Sequence, residues 1–111
     1  MDKLTLAFDQ EWRLARAARL AGELDRAFHH LERAHVLGQR RTVRHVRTHL
    51  AMLHVGWLRG DLREIIGQAS RVVAAALFSR LWVPSGNTGG ANVSAFRPMP
   101  VPPDLQALLD G

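Results

Sequence analysis

A chain of 111 residues, 47% apolar and 23% charged, is long enough for one modest core and too short for two independent ones. It has no Cys, which excludes disulfides, thiolate metal sites and Cys nucleophiles, so any metal must be held by His, carboxylate or carbonyl groups. The net charge is +5 and every base except Lys3 is Arg, a balance that suits an acidic protein, an anionic surface or nucleic acid without choosing among them.

The start, Met1-Asp2-Lys3-Leu4, lacks the basic stretch and apolar run of a signal peptide, and no run of about 18 apolar residues is present to span a bilayer. The expectation is a cytoplasmic protein with no membrane partner.

Leu4, Ala7, Phe8, Leu14, Ala15 and Ala18 recur at three- and four-residue steps and predict a first amphipathic helix, over about residues 5–21, ended by Gly22. Leu24, Ala27, Phe28, Leu31, Ala34 and His35 mark the inner face of a second, 23–37, stopped near Gly38. Thr42 is the expected N-cap of a third helix, 42–59, with Val43, Val46, Leu50, Leu53 and Trp57 as its core stripe. Gly60 closes it, and Asp61 caps a fourth, 61–81, whose Leu62, Ile65, Ile66, Ala69, Val72, Val73, Ala76 and Leu77 are expected to bury one broad face.

Leu20-Ala-Gly-Glu-Leu-Asp-Arg26 returns as Leu58-Arg-Gly-Asp-Leu-Arg-Glu64, 38 residues later and again at a turn between two helices. The spacing predicts an all-α fold, a compact bundle of two helix-turn-helix hairpins arranged as a tetratricopeptide-like (TPR-like) repeat pair. Residues 1–82 form this four-helix domain. Residues 83–111 supply a Gly/Asn loop, a Pro-rich strap in which no helix survives the crowded prolines, and a short terminal helix capped by Asp104, all packed on the same domain. Val93, Phe96, Met99 and Val101 are the expected contacts of the strap.

His29, His30, His35, His45, His49 and His54 all fall on the second and third helices. His45 and His49, at i and i+4, project from one face one turn apart, the spacing by which a helix offers two imidazoles to a metal. A hairpin closed between Gly38 and Arg41 places His35 opposite His45 and Glu32 near His49. These four make a mononuclear site, His35, His45 and His49 with Glu32 or water as fourth ligand, suited to Zn²⁺ or another divalent transition metal such as Ni²⁺, Co²⁺ or Cu²⁺. Ligation needs neutral imidazoles, so binding is expected to weaken as pH falls through the usual His range near six and a half. The competing reading makes His35 a hydrogen-bonded packing residue and His45 and His49 caps for buried polar groups. His29, His30 and His54 are assigned to the surface or core.

Arg40, Arg41, Arg44 and Arg47 gather at the start of the third helix, where they could grip an anion or an acidic partner, against the alternative of a solvated face. The loop Gly86-Asn87-Thr88-Gly89 could cradle an anion on backbone N–H groups, but it lacks the Lys and hydroxyl of a phosphate loop, so a connector tied by its Asn and Thr to helix ends is expected. No nucleophile triad is present, and the chain is not expected to be an enzyme.

Glu32-Arg-Ala-His-Val-Leu-Gly-Gln39, His45-x-x-x-His49, Met52-Leu53, Gly67-Gln68, Gly86-Asn-Thr-Gly89 and Pro98-Met-Pro-Val-Pro102 together resemble a small bacterial family known as domain of unknown function 3703. The resemblance covers most of the chain. It implies one compact bacterial domain and no particular reaction, and it implies that His35, His45, His49 and the loop motif belong together. The function expected from the sequence is metal binding between the second and third helices; a protein-interaction module is the alternative, and weak nucleic-acid binding through the Arg-rich helix a third.

Overall fold

The computed structural model describes residues 2–79 and 81–111. Its five helices are α1 (Lys3–Leu20), α2 (Leu24–Gly38), α3 (Thr42–Leu58), α4 (Leu62–Phe78) and α5 (Pro103–Asp110), with no strand among the described residues. α1 packs along α2 and α3 along α4, the α2–α3 contact joins the two hairpins, and α5 lies across α1 and α2.

Local chemistry sets the ends of these helices. Asp2 caps α1 by accepting the Thr5 N–H at 2.7 Å, and Asp61 caps α4 by accepting that of Glu64 at 3.0 Å. The turns that close the two hairpins are alike bond for bond. Glu23 N–H returns to Ala18 O and Gly22 N–H to Arg19 O; Asp61 N–H returns to Gly56 O and Gly60 N–H to Trp57 O. Both glycines sit at positive φ, 77° and 67°, as this helix-ending motif requires.

Two of the expected caps are corrected. Arg41 is the N-cap of α3, and Thr42 is already helical, its hydroxyl instead accepting from Ser79. Pro102 precedes α5 with Pro103 in the first helical turn, which leaves Asp104 free to pair with Arg33. α4 stops at Phe78 rather than 81; position 80 lies outside the described residues.

The first hairpin has an ordinary core. Ala15 and Ala18 of α1 are small enough for α2 to come close, and they meet Ala27, Phe28 and Leu31, with Met52 and Val55 of α3 completing the cluster. Phe8, Ala34, Val36 and Leu37 form a second cluster that Leu105 of α5 closes, with Val101 of the strap against it.

The second hairpin reverses the expected pattern. Val43, Leu50 and Trp57 of α3 are exposed, and the buried face is His45, Thr48, His49, Met52, Val55 and Gly56. On α4 the buried residues are Glu64, Gln68 and Ala75, while Leu62, Ile66, Val73 and Leu77 are 58–67% exposed. Periodicity located the apolar stripe correctly but assigned it to the wrong side. The inner side is polar because residues 83–97 lie over it and need hydrogen-bond partners. Phe96, expected in the strap's packing, is exposed as well.

At Gly22 and Gly60 an added Cβ would meet nothing within 4 Å, so substitution there costs backbone strain alone. Gly22→Ala and Gly60→Ala should therefore each lower stability by a similar amount, about 1 kcal/mol in urea unfolding, with helicity retained. Clearly unequal losses would show that the two turns are not equivalent.

Candidate metal centre

His35 lies in the last turn of α2, and the tight connection through Gln39 and Arg41 brings α3 back so that His45 and His49 face it. The three ring centroids stand 4.7, 4.8 and 4.9 Å apart, a nearly equilateral triangle. His35 Nε2 is 3.1 Å from His45 Nε2 and 3.2 Å from His49 Nε2. Nitrogens bound about 2.0–2.1 Å from a tetrahedral ion stand about 3.3 Å from one another, so the spacing is that of a ligand set. All three residues are buried, and one donor atom from each lies within 4.8 Å of the others.

Hydrogen bonding on the far side of the rings fixes their protonation. His35 Nδ1 lies 2.7 Å from the backbone carbonyl of Asn87, which can only accept, so this nitrogen carries the proton and Nε2 presents a lone pair. Gln68 plays the same part for His49. Its Nε2 donates to Glu64 Oε2 and to Gly89 O, both at 2.8 Å, so its Oε1 must be the atom facing His49 Nδ1 at 2.5 Å. His49 Nδ1 therefore donates, and its Nε2 is a second lone pair. Two acceptors thus meet at 3.2 Å. A proton on His45 Nε2 can answer one of them and not both.

Burial keeps these rings neutral. It pushes His45 and His49 down to about 4, Gln68 pulling His49 weakly the other way, and holds His35 well below the ordinary His value with help from its two neighbours. The expectation that protons compete near six and a half is corrected accordingly: in the folded protein competition begins lower.

The loop is part of this centre. Asn87 is buried, its Nδ2 donating to Ser94 O and Arg97 O and its Oδ1 accepting from Gly89 N–H, so it ties the loop to itself rather than to helix ends. Gly89 lies against the His35 ring, where a Cβ would come 2.6 Å from Cδ2. Arg71 donates to the carbonyls of Gly89, Gly90 and Val93, and Glu64 accepts the Ala91 N–H, so α4 holds the loop by two of its charged residues. Gly86 packs on the Met99 carbonyl, and Thr88 is half-buried beside Glu32.

Glu32 is not drawn into the cluster. Half-buried on α2, its carboxyl is pushed up by burial and by Glu64, with Thr88 acting in the opposite sense. Arg40, Arg41, Arg44 and Arg47 border one surface pocket at the start of α3. Arg44 donates to Thr5 and stacks on Phe8, Arg47 stacks on Trp12, and Arg40, Arg41 and Arg47 are exposed, so two of the four also brace α1. His30 pairs with Glu11 beside Arg33, and His29 and His54 are exposed.

Sequence reasoning missed Glu64, Gln68 and Arg71. Their signal was available: they recur at i, i+4 and i+7 on a mostly apolar helix, which marks a polar face with something to hold. A cavity of about 340 Å³ borders the three imidazoles on the side of α4.

An all-helical domain organised round three buried imidazoles is the class that this geometry defines. The family model for a protein of unknown function, DUF3703, matches residues 2–109, and the chain belongs to that family. No curated protein and no solved structure matches it.

His45 and His49 are held near 4 when folded against roughly 6.5 when unfolded, so between these values the unfolded chain binds more protons. Stability in the presence of chelator should be complete above about pH 6.5 and fall steadily towards pH 4, and His45→Gln should flatten that fall. Urea midpoints that stay level from pH 7 to 4.5 would contradict the burial of neutral rings.

Proposed function

We propose that this protein binds one divalent transition-metal ion through Nε2 of His35, His45 and His49, as a buffer, sensor or carrier of that ion. The observation that carries the reading is the pair of lone pairs facing each other at 3.2 Å, each fixed by an acceptor on the far side of its ring. Leaving buried acceptors unmet costs on the order of 1–3 kcal/mol, and a cation shared by three nitrogens removes that cost. Three neutral nitrogens suit Zn²⁺, Ni²⁺, Co²⁺ or Cu²⁺ and do not suit Mg²⁺ or Ca²⁺. Asn87 and Gln68 orient the ligands as carbonyl partners do in metal sites.

Tagless protein titrated with these four ions should take up one equivalent of at least one of them and gain thermal stability as its concentration rises. His35→Ala and His49→Ala should abolish uptake, while Gln68→Leu should keep the stoichiometry and weaken affinity roughly 10–100-fold. Stability indifferent to all four ions would end the reading.

The fold supports a finer statement too. We take the two hairpins as copies of one unit on the bond-for-bond likeness of their turns, a TPR-like pair in a protein that works in the cytoplasm. No helix among the described residues is long and apolar enough to cross a membrane.

A second reading, the interaction module, is favoured by α4. Leu62, Ile66, Val73 and Leu77, each 58–67% exposed, form one apolar stripe along α4, the kind of contiguous patch that marks a docking surface. The stripe carries no charge to select a charged partner, and a second copy of the same stripe matches it in length and chemistry. We therefore assign it to a two-fold homodimer. Light scattering after gel filtration should give twice the chain mass at micromolar concentration, and Ile66→Glu with Val73→Glu should give a monomer of unchanged helicity. A wild-type chain that stays monomeric to about 100 μM would overturn the assignment.

A further inference from the structure

The cavity beside the imidazoles, about 340 Å³, is of the size that holds small molecules. Its floor is His35, His45 and His49, with Arg71 also on its lining. Resting on the metal reading above, we infer that this cavity binds a small organic monoanion, an aryl or branched-alkyl carboxylate, whose acid oxygen completes the coordination of the ion while its apolar body fills the space over α4.

Donor count is the first argument. The ligand cluster stops at three nitrogens, and a three-His set leaves a position for water or an outside ligand. Neither nearby carboxylate is free to supply it. Glu64 is committed to Gln68 and the Ala91 N–H, and Glu32 stands outside the group. All three imidazoles border the cavity, so an outside donor reaches them from there.

Charge is the second. Three neutral imidazoles cancel none of the +2 of the ion, and Arg71 spends its hydrogen bonds on neutral carbonyls of the loop. Glu64 offsets one positive charge, and an excess remains that an anionic head satisfies better than an amine or a neutral group.

The walls give the rest of the ligand. Ala74, Ala75 and Phe78 line the cavity, and Trp82 and Phe96 stand at its edge, 55% and 75% exposed. Ser79, also on the lining, donates to Thr42, and Gln39 Oε1 and His45 Nδ1 are the buried lining atoms left without partners among the described residues. The many hydroxyls of a sugar or nucleotide exceed what these few atoms can meet, which is costly, whereas a phenyl or branched alkyl body finds matching contacts.

Cobalt-loaded protein supplies the test, because the visible bands of Co²⁺ respond to a change of ligand. Phenylacetate should shift those bands saturably, acetate should need about tenfold more, and inorganic phosphate at the phenylacetate concentration should leave them unchanged. Ala74→Phe, at an exposed position on the cavity wall outside the ligand set, should keep the cobalt bands and weaken the phenylacetate response about tenfold or more. Cobalt bound with bands indifferent to phenylacetate, or equally responsive to acetate, would overturn the inference and leave the metal reading standing. Failure to bind any of the four divalent ions would remove both.

Discussion

Burying three neutral imidazoles with their Nε2 atoms turned to one another is unfavourable unless their polar edges are met, and here the outer edges of His35 and His49 are met while His45 Nδ1 has no partner among the described residues. Much of α3, α4 and the loop is arranged round that constraint. Asn87 O and Gln68 Oε1 answer the Nδ1 groups of His35 and His49, and Glu64 and Gly89 O in turn hold Gln68 so that its oxygen cannot turn away. Each of these groups is buried, so each has to be met by the next. The chain of bonds runs from α3 through α4 into the loop. A long glycine-rich segment, which would otherwise fray, is thereby fixed.

That constraint also accounts for the inverted amphipathicity of α4. A helix normally turns its polar side to water. Here Glu64, Gln68 and Arg71 are needed inside, where they hold His49 and the loop, and the apolar side is left on the surface. The first hairpin gives the centre only His35 and otherwise packs conventionally through alanines, leucine and phenylalanine, with Met52 and Val55 of α3 against them. Two hairpins closed by the same turn thus meet along α2 and α3, with an apolar core on one side of that contact and the polar centre on the other.

Much of the fold was legible. Helix periodicity found α1 to α4, the paired Leu-x-Gly segments found the hairpin turns, and the i, i+4 spacing of His45 and His49, mirrored about the turn onto His35, brought the right three side chains together. The inner faces of α3 and α4 were not legible, because a hydrophobic stripe reports where apolar residues lie and not which side is covered. Glu32 misled for a related reason. Mirroring residues about the turn puts Glu32 level with His49, and Glu32 does share a face with His35 one turn away, yet its carboxyl meets Thr88 and lies near Glu64 instead. Thr42 was read as a cap on its side chain alone, while the true cap, Arg41, carries no capping group at all.

The glycines of the loop show how far sequence patterns can be turned into physics. Gly89 is next to the His35 ring and Gly67 next to Ala91, where a Cβ would come within 2.6 Å of each neighbour. Any side chain at Gly89 would push His35 off the common point; one at Gly67 would lift the loop from α4 and release Gln68 beside it. The Gly67-Gln68 and Gly86-Asn-Thr-Gly89 segments, eighteen or more residues from the nearest His of the triad, are therefore parts of one construction with it.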